Sequence, residues 1–192
     1  MHTLTPSAPV PCRADGVLFA AGAHGPLWRV LSGAVRLDRP GGAEPQLVQL
    51  ALPGELIGVE ALCEQPYAFN AVALTDAALV PVELGDDARR AALMREALLQ
   101  QQHRSQHMAA LRTGAVALRM AQLLALLGLD WRQAASQGWQ RSADAIREAL
   151  PPLRVLAQVV DAKAETVCRA LAQLLPPRSK KTGPARLQLS AG

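Results

Sequence analysis

Residues 150–175 read LPPLRVLAQVVDAKAETVCRALAQLL. The stretch divides into two short helical patterns about a break at Asp161-Ala162. Pro151 and Pro152 carry backbone angles suited to a helix start, where no amide partner is needed. Leu153, Leu156, Ala157 and Val160 then recur at helical spacing. Asp161 is of the type that caps a following helix through its side chain. Val167, Ala170, Leu171 and Leu174 give the second helix one apolar face. Lys163, Glu165, Thr166 and Arg169 fall on the other, and Pro176-Pro177 stops the helix.

A helix-turn-helix has this arrangement. Its first helix is packed and braced, and its second offers side chains from its first turns to base edges in the major groove. Glu165 can accept from a cytosine amino group, and Arg169 can pair two-pronged with guanine. The two are four residues apart, so they point the same way. An ordinary helical hairpin with a solvated Glu-Arg pair fits residues 150–175 as well, and the C-terminal segment separates the two readings. Residues 178–192 read RSKKTGPARLQLSAG, a basic turn at 180–184 and then an alternating Arg186-Leu187-Gln188-Leu189. A basic turn leading into a strand suits a wing that touches phosphates, with Arg154, Lys180 and Lys181 as the expected phosphate contacts. From Arg147 onward eight Lys or Arg stand against three acids, a net +5. The whole chain is +4, so residues 1–146 carry −1, and the positive charge is concentrated where nucleic acid would sit.

The 192 residues suffice for one large or two small domains, and half of them are apolar. Only 3% are aromatic, which argues against recognition of single strands or RNA by base stacking. Cys12, Cys63 and Cys168 are far apart and form no CxxC pair, so neither a zinc site nor a disulfide framework is expected. The N-terminal MHTLTPSAPVPCRADG lacks the basic head and apolar run of a signal peptide, and no segment has the unbroken apolar length of a membrane span. A soluble, cytoplasmic protein with no membrane partner is the expectation.

Between Val17 and Leu84 the chain reads as short strands broken by Gly and Pro: 27–31, 34–37, 47–52, 71–74 and 78–82, with a turn at Pro53-Gly54. Such strands suggest a small antiparallel barrel or roll, and Pro81 suggests an edge position for its strand. Residues 86–130 are strongly helical, free of proline, with Asp86 and Asp87 at the positive end. Their length implies a partner helix. The central run QQQHRSQH, 100–107, is polar for a coiled-coil seam, so either the helices splay there or the run faces the roll and an effector. His103 and His107 share a helical face at a spacing usable by a metal or haem, but without a third ligand a solvated or interhelical pair is the stronger reading. Glu55, Glu60 and Glu64 are irregularly spaced with no His beside them, and read as surface charge.

In order, LWRVLSGAVRL, LALPGELIGVEAL and AVALTDAALVPV resemble the sensor roll of the Crp/Fnr family of bacterial transcription regulators, and ETVCRAL resembles that family's recognition helix, usually ETVSR or ETVGR. The resemblance implies an α+β fold: an antiparallel β-roll sensor of cupin-like jelly-roll type over 1–85, a dimerisation helix over 86–114, and a winged helix-turn-helix over 115–192. It places a hinge at Thr113-Gly114-Ala115. It implies a homodimer on two-fold-symmetric double-stranded DNA, with RNA polymerase as a further partner. Lys163, Glu165, Thr166 and Arg169 become the residues that meet DNA. Gly54, Glu55, Leu56, Phe69 and Asn70 fall where an effector would bind. Members that bind cyclic nucleotides carry an Arg-Ser pair where this chain has Phe69-Asn70, and no Arg or Lys lies between Arg39 and Arg89. A buried phosphate without a cation is costly, so cAMP and cGMP are not expected. Only Cys12 stands where iron-sulfur members have a cysteine cluster. No cofactor is expected; a haem, another small effector, or none remains. Ala164 stands where a basic residue often precedes the Glu, and Cys168 replaces the usual Ser or Gly, so the base preference should differ from a cAMP-receptor site. A modified Cys168 thiol would obstruct the groove, although a lone cysteine is more often packing.

Two other classes compete. A cupin-like metal-dependent enzyme would need clustered His and carboxylates, but the first half offers only His2 and His24. An interaction module that has lost DNA binding would have no need of the Glu165-Arg169 pair.

Overall fold

In a computed structural model the described residues are 8–41, 45–129 and 139–175, with the backbone alone for 139–142. The expected wing with Lys180 and Lys181 lies outside them. Eight strands, β1 (Val10–Cys12), β2 (Val17–Phe19), β3 (Leu27–Ser32), β4 (Val35–Arg39), β5 (Gln46–Ala51), β6 (Leu56–Ile57), β7 (Asn70–Ala73) and β8 (Ala77–Val82), form two four-stranded antiparallel sheets. One runs β1-β8-β3-β6 and the other β2-β7-β4-β5. Their inner faces enclose a core of Val30, Val35, Leu37, Ala51, Ile57 and Leu79. A 3₁₀ turn, Val59–Cys63, closes one end.

The strands of the second sheet are read from two sides. Val35 and Leu37 of β4 enter the core between the sheets. Side chains alternate along a strand, so Arg36 and Asp38 point out of the roll, yet they are only 5% and 4% exposed. Helices cover them. Leu47 and Leu50, which pair across from Asp38 and Arg36, belong to one continuous core with Met108, Leu111, Met120, Leu123, Val155 and Leu156. Five helices follow the roll: α1 (Asp87–Arg112), α2 (Val116–Leu126), α3 (Trp139–Ala149), α4 (Leu153–Val159) and α5 (Ala164–Leu174). The Asp86 side chain caps α1, accepting from the Arg89 amide at 2.8 Å. The helix ends at Thr113, and Gly114 turns the chain with φ +82°. Among the described residues no helix is long and apolar enough to cross a membrane.

Four expectations change. The strand holding Pro81 is internal, between β1 and β3; Pro81 is tolerated because β1 pairs only with Ala77, Ala78 and Leu79, so no ladder reaches it from that side. Asp161 is not a helix cap: it takes φ 48° in the turn, and Lys163 occupies the cap position without a side-chain hydrogen bond. Leu153 is 37% exposed, whereas Val155 and Val159 are buried beside Leu156, Ala157 and Val160. Helix α4 spans seven residues, too short for apolar spacing to define its inward face. Glu55 is not surface charge but the partner of a buried arginine, Arg104.

Gly33 joins β3 to β4 at φ +74°, and a Cβ there would meet the Asp76 carbonyl oxygen at 2.2 Å. Gly33→Ala should therefore destabilise the roll by at least the ~1–3 kcal/mol of a strained backbone angle, measured by urea denaturation.

Candidate nucleic-acid interface and effector cavity

Val167 (0% exposed) and Ala170 (4%) anchor α5 in the shared core. On its other side Glu165, Thr166, Cys168 and Arg169 are exposed, as is Lys163 at the cap. Glu165 and Arg169 lie one helical turn apart on this open face. Arg154 is exposed on α4. The five described residues expected to meet DNA are thus all accessible, on two successive helices.

The turn between α4 and α5 is braced by a residue that the sequence pattern did not single out. Arg119 of α2 donates through Nη1 to the carbonyls of Val160 (2.8 Å) and Asp161 (3.0 Å), and through Nε to the Gly114 carbonyl (2.9 Å). A cation at these carbonyls suits the negative end of α4. The roll holds the same helix from another side. Arg36 Nε lies 3.0 and 2.9 Å from the two Asp38 carboxylate oxygens, and Arg36 Nη1 donates to Gln158 Oε1 of α4 at 3.3 Å. Burial raises the Asp38 pKa, against the pull of Arg36.

A cavity of about 150 Å³ lies between the roll and α1. Phe19, Leu37, Ile57 and Phe69 form its apolar wall, and Gln49, Glu60, Gln100, Gln101 and Arg104 supply polar groups. Of the five expected effector residues, Phe69 lines it. Asn70 instead accepts from the Ala21 amide at 2.9 Å. Gly54 sits in the β5–β6 turn at φ +91°, and Leu56 is fully buried against Leu27, Leu62 and Leu93. Glu55 Oε2 accepts from the Leu52 amide and from Arg104 Nε, both at 3.0 Å. The polar run of α1 therefore faces the roll at Gln100, Gln101 and Arg104.

Arg104 is the one cation among the lining residues, and it is already committed to Glu55. The volume is also below the ~300–1,000 Å³ of ordinary ligand pockets. Among the described residues no three His, Cys, Asp or Glu are placed to hold a metal ion.

Residues 9–86, the roll, match the cyclic nucleotide-binding domain family. No curated protein matches the chain. A CRP-family transcriptional regulator from Thermus thermophilus has a similar structure, with a TM-score of 0.61 at 21% identity over 86% of this chain and 83% of that one. FixK2 from Bradyrhizobium japonicum stands at 0.58 and 24%, over 88% and 85%. The likeness extends past the roll into the helices, so this chain shares the fold of these proteins over most of its length.

Near the cavity, Glu96 of α1 forms a two-pronged pair with Arg29 of β3 at 2.6 and 3.1 Å. The hydrogen bond from Arg29 holds the Glu96 carboxyl below its usual range. A carboxylate with a lowered folded pKa contributes stability above its unfolded pKa and loses it as the pH falls through the folded value. Glu96→Gln should therefore flatten the acid limb of the stability curve below about pH 5, followed by denaturant titration at stepped pH.

Proposed function

We propose that this chain is a DNA-binding transcription regulator that acts as a homodimer on a two-fold-symmetric site, without dependence on cAMP. The open face of α5 carries the reading: Lys163, Glu165, Thr166 and Arg169 project from a helix whose opposite side is fixed in the core. Helices α4 and α5 serve as the helix-turn-helix. Arg169 and Glu165 read bases, while Arg154, Lys180 and Lys181 hold phosphates. The second copy packs along α1, where Met94 (40% exposed), Leu98 (68%) and Leu99 (59%) form an apolar stretch away from the roll. Two recognition helices then enter major grooves about 34 Å apart. RNA polymerase is the expected further partner, and the cytoplasm the expected location. The roll, 1–85, serves as a sensor-type scaffold, residues 86–114 as the dimerisation helix, and 115–192 as the winged DNA-binding domain.

Selection from a random DNA pool with ligand-free protein tests this. An inverted repeat should be enriched; a dimer that enriches nothing, with or without cell extract, contradicts the proposal. On the enriched site Arg169→Ala should cost ~1–3 kcal/mol and flatten discrimination at one base pair. Lys181→Ala should weaken all sequences alike and lower the salt slope by about one. Competition binding at several salt concentrations measures both.

A further inference from the structure

Glu96, Gln100, Gln101 and Arg104 of α1 all bond to the roll. Gln101 Oε1 accepts from Gln49 Nε2 at 3.0 Å. Gln100 Oε1 accepts from the Leu56 amide at 2.8 Å, and Arg104 Nη2 donates to the Leu56 carbonyl at 2.6 Å. β6 is an edge strand, so these two side chains give Leu56 the partners that a further strand would have given. Arg104 is 3% exposed. Its Nε holds Glu55, whose Oε2 also takes the Leu52 amide, and its Nη1 lies 3.5 Å from Gln49 Oε1.

We propose that Arg104 is an internal stand-in for an effector: its guanidinium occupies the β5–β6 turn and clasps α1 to the roll, so that the chain binds DNA with no cyclic nucleotide. The DNA half of this statement rests on the function proposed above. An effector in such a cavity would draw α1 to the roll by bonding both. Here Arg104 makes that bridge from within the chain. An incoming phosphate would have to take Arg104 from Glu55, leaving a largely buried carboxylate, 13% exposed, without its cation, and that cost disfavours it. Arg104 is thus both a positioning residue for α1 and the residue that sets what the cavity rejects.

Chemical rescue tests the clasp. Arg104→Ala leaves a guanidinium-sized space beside Glu55. Its Tm should fall by roughly 10 °C, and its affinity for the selected DNA by at least about tenfold. Millimolar ethylguanidinium should restore part of both, and should leave the wild type unchanged. Millimolar cAMP or cGMP should not raise the wild-type Tm. Glu55→Gln, which keeps side-chain volume, interrogates the same pair should Arg104→Ala not fold, and should lower Tm and DNA affinity in the same direction. A wild type stabilised by either cyclic nucleotide overturns the exclusion. No Tm rescue by ethylguanidinium, or unchanged DNA affinity in both variants, overturns the clasp. Tm rescue in a protein whose wild type binds no DNA supports the clasp and overturns the DNA-binding reading instead.

Discussion

Burial of one strand on both faces is the constraint on which the rest of the architecture depends. β4 has apolar partners inside the roll and helices against its outer face, so Val35, Arg36, Leu37 and Asp38 are all removed from water. Inward positions need only be apolar and well fitted. Outward positions carry charge, and a lone buried charge is unstable. Arg36 and Asp38 compensate one another's charge two residues apart, and Gln158 Oε1 accepts a further hydrogen bond from the guanidinium. Arg112 adds a hydrogen bond from the end of α1 to the Leu47 carbonyl of β5. Among the described residues the roll and the helices therefore share a common core.

The same economy governs α1. Its 26 residues extend about 39 Å, and different faces meet different surroundings. Leu93, Met108 and Leu111 are buried in cores. Glu96, Gln100, Gln101 and Arg104 satisfy strand edges and turns. Met94, Leu98 and Leu99 remain open. Part of the polar stretch in the middle of this helix, Gln100, Gln101 and Arg104, is thus hydrogen-bonding surface for a sheet that ends there, while Gln102, His103, Ser105 and Gln106 are exposed.

Much of this was legible in the residues themselves. β3, β4, β5, β7 and β8 follow from short apolar runs between Gly and Pro, and the helix start at Asp86 follows from residue type. The residues read as one helical stretch over 86–130, and the break at Gly114 was implied only by the family resemblance. β1, β2 and β6 escape such a reading because they have two or three residues each, too few to show a period. Asp161 shows a limit of residue preferences: Asp suits a cap, but it also tolerates the left-handed turn it occupies here. The cavity was legible mainly through what it lacks, a cation near Phe69. That Arg104 fills this role was not legible, because its bonding partners Glu55 and Leu56 lie 49 and 48 residues away. A charge in a Gln-rich run looks solvated until the sheet is placed beside it.

The placement of Arg119 has a consequence for motion. One guanidinium joins the carbonyl of Gly114, where the chain leaves α1, to two carbonyls in the turn before α5. The three bonds share one planar group, so the two segments are joined through it. The exposed face of α5 is therefore geared to the end of α1. A single side chain thus ties the turn that presents α5 to the point where the chain leaves α1.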